Sequence, residues 1–303
     1  MKRLLLLFGL ILASFVFVNA QAASQTDKER AERERKEAEF NRRIDSLRNV
    51  DKVRIRQDPN ENSQIFQSKI KPLYRKPNAD EQKLLAPNQE DLQTFAEFLR
   101  KKNIGLIKLI ADKGCSKDLN IIVSTPHCLK YTMPGGGSSY SFRVESHWLP
   151  HLGDLNFGGE NFQSSLGLLT NGIMVNIGDV SLEQIDPQNK ALKTLVEFQP
   201  AKEIEKVGGF ASLLEKGIGG DGFMYGSVLP VKENSTYLLR SIAYKSEFFR
   251  TIDKIEYDEF RFDKRKDIIV AFRVIRLVPN ENVTIIWKEL DEKNSPEIVF
   301  SKK

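Results

Sequence analysis

The sequence predicts an α+β protein that is mainly β: an antiparallel sandwich or barrel-like body with one packed helix and an N-terminal charged helical arm. Several short segments of the last two thirds of the chain either alternate apolar and polar residues or are continuously apolar, which is typical of strands. Only one segment of that region combines helical spacing with a clear start signal. No regular alternation of strands and helices appears, which argues against a doubly wound parallel sheet.

The β signals are strongest near the C-terminus. Residues 236–244, 267–278 and 283–290 are rich in β-branched and aromatic residues, and residues 279–282 (Pro-Asn-Glu-Asn) predict a turn between the last two. Residues 139–148 alternate cleanly between apolar and polar positions. Further strand candidates are residues 119–124, 172–180, 194–199, 223–231 and 297–300.

One helix is predicted at the start of this body. Asn88 is a suitable N-cap after a proline, acidic residues occupy the first turn, and apolar residues recur at helical spacing up to Leu99. Gly105 lies just beyond its end. A second, short helical turn is predicted at residues 209–216.

Residues 1–22 have the layout of a secretory signal peptide. Lys2 and Arg3 precede an uncharged apolar stretch, Leu4 to Val18, and small residues follow, with cleavage expected after Ala20 or Ala22. The apolar stretch is shorter than the ~20 residues that span a bilayer. We therefore expect an exported protein, periplasmic or secreted, with no stable membrane insertion after signal cleavage.

Two further segments precede the β-rich domain, which we place at residues 88–303. Residues 23–56 are highly charged with few apolar positions, which favours a helical arm, either a solvated tether or a docking helix. Residues 57–87 contain four of the 12 prolines and predict a Pro/Asn-rich linker with little regular structure.

The charge distribution argues against nucleic-acid binding. The net charge is +5, but residues 24–56 hold 11 basic and 8 acidic residues, and residues 57–303 carry 33 of each sign. A nucleic-acid-binding domain would present a basic patch on its folded surface. The partner expected is instead a protein or a small ligand of unknown identity. The oligomeric state is left open, and no cofactor or metal is predicted.

Four stretches of sequence resemble a family of uncharacterised exported bacterial proteins. They are FLRKKNIGLIKLI (98–110), TYLLRSIAY (236–244), DIIVAFRVIR (267–276) and IIWKEL (285–290). The similarity spans roughly residues 70–290. It implies export and a single body domain, and it carries no activity.

Cys115 and Cys128 are the two cysteines of the chain. An even pair in an exported protein predicts a disulfide. A metal site or a thiol nucleophile is the alternative, because His127 adjoins the second cysteine and His147 and His151 follow it. The cysteine spacing does not match the short pairs of zinc sites.

Arg240 and Arg273 each stand alone inside an apolar predicted strand. Because an unpaired guanidinium is costly to bury, each predicts either an anion-binding site or a buried ion pair, with Glu145 or Asp179 as candidate partners.

The remaining motifs indicate no coherent catalytic set. The sequence Gly217–Gly222 formally matches a dinucleotide-binding motif, but no strand-to-helix context surrounds it. Asp154 begins a partial calcium-loop pattern that ends on Ser165 instead of glutamate. The sequence therefore favours a non-enzymatic binding or envelope-associated domain. The alternative is an extracytoplasmic hydrolase that uses carboxylates or a His/Cys site.

Overall fold

The computed structural model describes residues 63–112, 134–165, 167 and 169–299. The chain divides into two units at Ile55–Arg56, and every described residue belongs to the second unit. The predicted signal peptide, the charged arm, the strand candidate at 119–124 and both cysteines lie outside the described residues.

Two antiparallel sheets build the body of the described chain. The strands are β1 (Ile104–Ile110), β2 (Ser139–Ser141), β3 (Ser146–His147), β4 (Leu155–Phe157), β5 (Asn161–Gln163), β6 (Thr170–Gly178), β7 (Ile218–Gly220), β8 (Phe223–Gly226), β9 (Val228–Pro230), β10 (Thr236–Ala243), β11 (Phe249–Ile252), β12 (Ile255–Asp258), β13 (Lys266–Val278) and β14 (Asn282–Asn294). The larger sheet has the order β1-β14-β13-β10-β6-β8-β7, the smaller has β3-β2-β4-β5-β9, and β11 pairs with β12. The predicted antiparallel sandwich is confirmed; the barrel-like alternative is wrong, because neither sheet closes.

The helices of the described residues are short. They are α1 (Ala79–Leu85), α2 (Gln89–Thr94), α3 (Lys190–Glu197) and α4 (Ile204–Lys216). A π-helical turn (Phe66–Ile70) and 3₁₀ turns (Lys71–Tyr74, Phe98–Arg100, Pro134–Gly137, Leu182–Gln184, Glu259–Phe262) complete the set. No helix in this part of the chain is long and apolar enough to cross a membrane.

The main core lies between the two sheets. Side chains of the larger sheet such as Phe272, Tyr237 and Trp287 pack against Phe162 of the smaller sheet and Phe142 in the turn after β2, and all five are buried. Their rings meet edge-on or stacked with centroids 5.1–6.3 Å apart, for example 5.2 Å between Phe162 and Phe272. Burial of this apolar surface is the main stabilising contribution.

Helices α3 and α4 cover the opposite face of the larger sheet. Strand β10 is buried at every position, and its alternate residues point to opposite faces: Tyr237 and Leu239 to the core between the sheets, Arg240 to helix α3. The described residues therefore form three layers: the smaller sheet, the larger sheet in the middle, and helices α3 and α4. Because β10 is buried on both faces, most of its residues are apolar, and this apolar run is what predicted the strand from sequence.

The segment expected as a linker contains regular structure. Phe66, Ile70 and Tyr74 are buried, which holds the π-helical and 3₁₀ turns against the domain. Asn78 then starts helix α1 with a complete capping box: its side chain accepts from the amide of Glu81, whose own side chain accepts from the Asn78 amide. The prolines therefore separate short helices instead of preventing them.

Three other elements differ from the sequence prediction. The strand expected at 139–148 is a hairpin of β2 and β3, because the chain reverses at Glu145, whose φ is 54°. The strand expected at 194–199 belongs mostly to α3, where Asn189 caps the first turn and Ala191 and Leu195 are buried. The predicted helix from Asn88 ends at Thr94 and is followed by a separate 3₁₀ turn.

Candidate functional site

Both arginines singled out by the sequence form ion pairs. Arg240 is buried; two of its nitrogens contact the carboxylate of Asp267, at 2.9 and 2.7 Å, and a third donates to the carbonyls of Leu195 and Phe198. Arg240 therefore connects helix α3 to the larger sheet, and its positive charge is balanced by the carboxylate of Asp267. Arg273 lies nearer the surface and contacts Asp179, a partner anticipated from the sequence, at 2.6 Å.

A second buried ion network joins the two sheets. Arg143 contacts Asp154 at 2.8 Å and Asp263 at 2.7 Å, and the side chains of all three are fully buried. Arg265 adds a contact of 3.0 Å to Asp263, and Ser241 of strand β10 donates to Asp154. Burial alone would lower the pKa of Arg143, but Asp154 and Asp263 raise it above its ordinary value. Two cations balance two anions, so the network is a structural clamp.

The third polar cluster surrounds Glu259, whose side chain is fully buried. One carboxylate oxygen accepts from the Tyr74 hydroxyl at 2.7 Å and contacts a ring nitrogen of His151 at 3.0 Å. The other oxygen accepts from Arg250 at 2.7 Å. The Tyr74 hydroxyl also lies 2.9 Å from that of Tyr257. Both oxygens are thus occupied by protein donors.

Four separate elements bring these groups together. Tyr74 ends the 3₁₀ turn of the N-terminal segment, His151 lies in the turn after β3, Arg250 is on β11, and Glu259 opens the 3₁₀ turn after β12. Asp258 fixes that last turn, because its carboxylate accepts from the amides of Phe260 and Phe248 at 3.0 and 2.8 Å. The Glu259 cluster therefore fastens the N-terminal segment to the β11–β12 hairpin.

The protonation states follow from this geometry. Burial alone would raise the pKa of Glu259, but the contact with His151, the Tyr74 hydroxyl and the Arg250 charge lower it below its ordinary value. The pKa of Tyr74 is raised, first by burial and then by the negative charge of Glu259. Glu259 is therefore an ionised acceptor and Tyr74 a neutral donor at neutral pH.

A groove of about 260 Å³ opens beside this cluster. Tyr257 belongs to both, since its hydroxyl faces Tyr74 and its ring forms part of the groove wall. Phe262 stacks on Tyr74 with ring centroids 4.1 Å apart, which holds its ring in place. The groove is lined by Phe66, Gln67, Lys71, Tyr257, Asp258, Arg261 and Phe262.

The two histidines of the H-x₃-H motif do not share a site. His147 contacts the backbone carbonyl of Lys108 at 2.9 Å, and burial lowers its pKa to about 4. His151 belongs to the Glu259 cluster instead. Within the described ranges no group of three or more His, Cys, Asp or Glu side chains is arranged to hold a metal ion. The Gly217–Gly222 motif forms the β7–β8 hairpin after helix α4, so it lacks the strand-to-helix setting of a dinucleotide site.

Sequence reasoning missed the Glu259 cluster and the groove. Their members come from segments about a hundred or more residues apart: Tyr74 and Glu259 are separated by 185 positions, His151 and Glu259 by 108. The available signal was the aromatic content of the two segments, Phe66 to Tyr74 and Tyr257 to Phe262.

No protein-family model matches the chain, and neither a curated protein nor a solved structure is significantly similar to it.

Proposed function

We propose that this chain is an exported, non-enzymatic binding domain and that the groove between residues 66–71 and 257–262 takes its ligand. The supporting observation is the combination in one groove of aromatic walls and a charged rim above a fixed network. Small-molecule sites are typically concave, mainly apolar and equipped with a few polar groups that orient the ligand. The support for export is the signal-peptide layout of residues 1–22.

The groove is preorganised. Tyr257 and Phe262 are held by Tyr74, which is in turn hydrogen-bonded to the buried Glu259. A ligand that enters would find the walls already in position, so little side-chain ordering is needed on binding. Two elements distant in sequence build the groove, and the Glu259 cluster keeps them together.

The buried carboxylates favour binding over the hydrolase alternative. A catalytic acid or base must reach the substrate within hydrogen-bond distance. Glu259 has both oxygens occupied by protein donors, and Asp154 and Asp263 are enclosed with Arg143. These acids therefore act as structural anchors, and none of them faces the groove as a free catalytic group.

A fragment screen by ligand-observed NMR tests this function. Gln67→Trp places an indole in the groove, and Gln184→Trp is the matched control on an exposed 3₁₀ turn outside it. We expect fragments that bind the wild-type protein and Gln184→Trp but not Gln67→Trp, with all three proteins giving the same circular dichroism spectrum. A screen without binders, or binders that Gln67→Trp retains, would refute the groove as the ligand site.

A further inference from the structure

We propose that the ligand of this groove is a small aromatic carboxylate: one planar ring that carries a single negative charge. The inference rests on the proposed function, because it names the chemistry of the same site. The charged residues of the groove support the carboxylate, its aromatic walls support the planar ring, and its volume supports the small size of the ligand.

The charge of the groove favours a monoanion. Its lining includes two cations, Lys71 and Arg261, and one acid, Asp258. The pKa of Asp258 is raised, mainly by burial and also by the charge of Glu247, against the lowering effect of the Phe248 and Phe260 amides and of the Arg261 charge. Lys71 is exposed and forms no ion pair with any residue that the structure describes. Lys71 therefore offers the groove a cation with which the single carboxylate of a ligand would form a charge-assisted hydrogen bond.

The walls favour a planar ring. Three of the seven lining residues are aromatic, and two of them, Phe66 and Tyr257, are buried. The rings of Phe66 and Phe262 are inclined by only 27°, with centroids 6.2 Å apart. Aromatic side chains held in this way offer ring faces and edges that attract another ring by offset or edge-to-face contact.

The size limits the ligand to about one ring. A volume of about 260 Å³ lies just below the range of ~300–1,000 Å³ found for sites of drug-sized ligands. A ring with its carboxylate fits such a space, with the carboxylate directed to the exposed Lys71 at the rim. An extended oligomer would leave most of its length outside the groove.

Titrations with three probes, followed by protein NMR at low ionic strength, test the inference. Benzoate has both features, benzamide keeps the ring without the charge, and cyclohexanecarboxylate keeps the charge without the planar ring. We expect benzoate to bind at least ~10-fold more tightly than benzamide, the ratio that one charge-assisted hydrogen bond supplies. Against cyclohexanecarboxylate we expect a ratio of about 2- to 10-fold, which is what aromatic ring contacts contribute.

Lys71→Met should lower benzoate affinity to that of benzamide and leave benzamide unchanged. Lys190→Met, on the exposed start of helix α3, is the matched control and should change neither. Equal affinities of benzoate and benzamide, or an unchanged benzoate affinity in Lys71→Met, would overturn the carboxylate inference. If other fragments bind the wild-type protein but not Gln67→Trp, the proposed function survives that result. If no fragment binds the groove, the proposed function and the carboxylate inference both fail.

Discussion

Glu259 is a buried carboxylate that three donors hold in its ionised form. Tyr74, His151 and Arg250 reach it from three different segments of the chain. An ion that is desolvated in this way is tolerated only when its oxygens are hydrogen-bonded, and removing one partner leaves the others uncompensated. The contribution of Glu259 to stability is therefore measured by the loss of unfolding free energy when its charge is removed.

Glu259→Gln should destabilise the protein by about 3 kcal/mol, the lower end of the range for breaking a buried ion pair, because Arg250 retains some access to water. Chemical denaturation in urea at pH 7 measures the change. Glu160→Gln, an exposed glutamate, is the control and should stay within ~0.5 kcal/mol of wild type. Equal stability of the two variants would contradict the role assigned to Glu259.

His147 makes stability depend on pH. Burial lowers its pKa from 6.5 to about 4, so between these values the unfolded chain binds a proton that the native protein does not. Stability therefore falls as the pH falls through this window and is unaffected by this group above it.

Between pH 7 and pH 5 the cost attributable to His147 should be about 2 kcal/mol, and His147→Gln should remove that part of the pH dependence. Urea denaturation of both proteins at the two pH values provides the comparison. If the variant loses as much stability on acidification as the wild type does, His147 is not buried in its neutral form.

At the scale of the elements, the edge strand β1 lies close to its neighbour β14. Gly105 is paired with Trp287, and a Cβ added at Gly105 would lie 2.8 Å from Cε2 of that indole, too close for any real contact. Gly209 is the opposite case: it is exposed on helix α4, and an added Cβ would meet no atom within 4 Å. The same substitution should therefore have opposite effects at the two positions.

Gly105→Ala should destabilise the protein by about 1–3 kcal/mol through overpacking. Gly209→Ala should stabilise it by about 0.5–1 kcal/mol, because alanine loses less conformational freedom in a helix. Thermal denaturation followed by circular dichroism compares the two with wild type. Shifts of the same sign would show that the packing of Trp287 on β1 is not as described.

The strands near the C-terminus were the elements best predicted from sequence. β10 is buried at every position, β13 and β14 are buried over most of their first halves, and the bounds of all three agree with the prediction to within a few residues. β1 was missed, because its short apolar run begins close to the end of the predicted helix and contains Gly105, and an internal glycine weakens a strand pattern. The run at 194–199 was assigned the wrong type, because short apolar runs do not distinguish a strand from a buried helix face.

The candidate site was beyond such reasoning for a different physical reason. Periodicity reports on local structure, whereas the groove exists because a segment near residue 70 packs on one near residue 260. Arg240 and Arg273 were found from sequence because each interrupts an apolar run. Glu259 does not lie inside an apolar run, so the sequence does not indicate that it is buried.

On the scale of the whole molecule, three ion networks connect different elements of the described fold. Arg240 joins the larger sheet to helix α3, Arg143 joins the two sheets, and Glu259 attaches the N-terminal segment to the β11–β12 hairpin. The first two are closed to ligands. The third borders the groove lined by Tyr257 and Phe262, which is why the proposed function is placed there.

Export and the disulfide of Cys115 with Cys128 remain predictions of the sequence. Intact mass spectrometry of the mature protein, with and without reductant, measures both. We expect loss of about the first 20 residues, the usual length of a signal peptide, and a gain of about two mass units on reduction, one hydrogen per cysteine. A chain that keeps its N-terminus, or has free thiols before reduction, would contradict these expectations.

The most direct test of the central claim is chemical-shift mapping of the ¹⁵N-labelled protein during a titration with benzoate. The account predicts saturable shifts confined to the amides of residues 66–71 and 257–262 and their immediate neighbours. Absence of saturable shifts, or shifts centred on another part of the molecule, would contradict it.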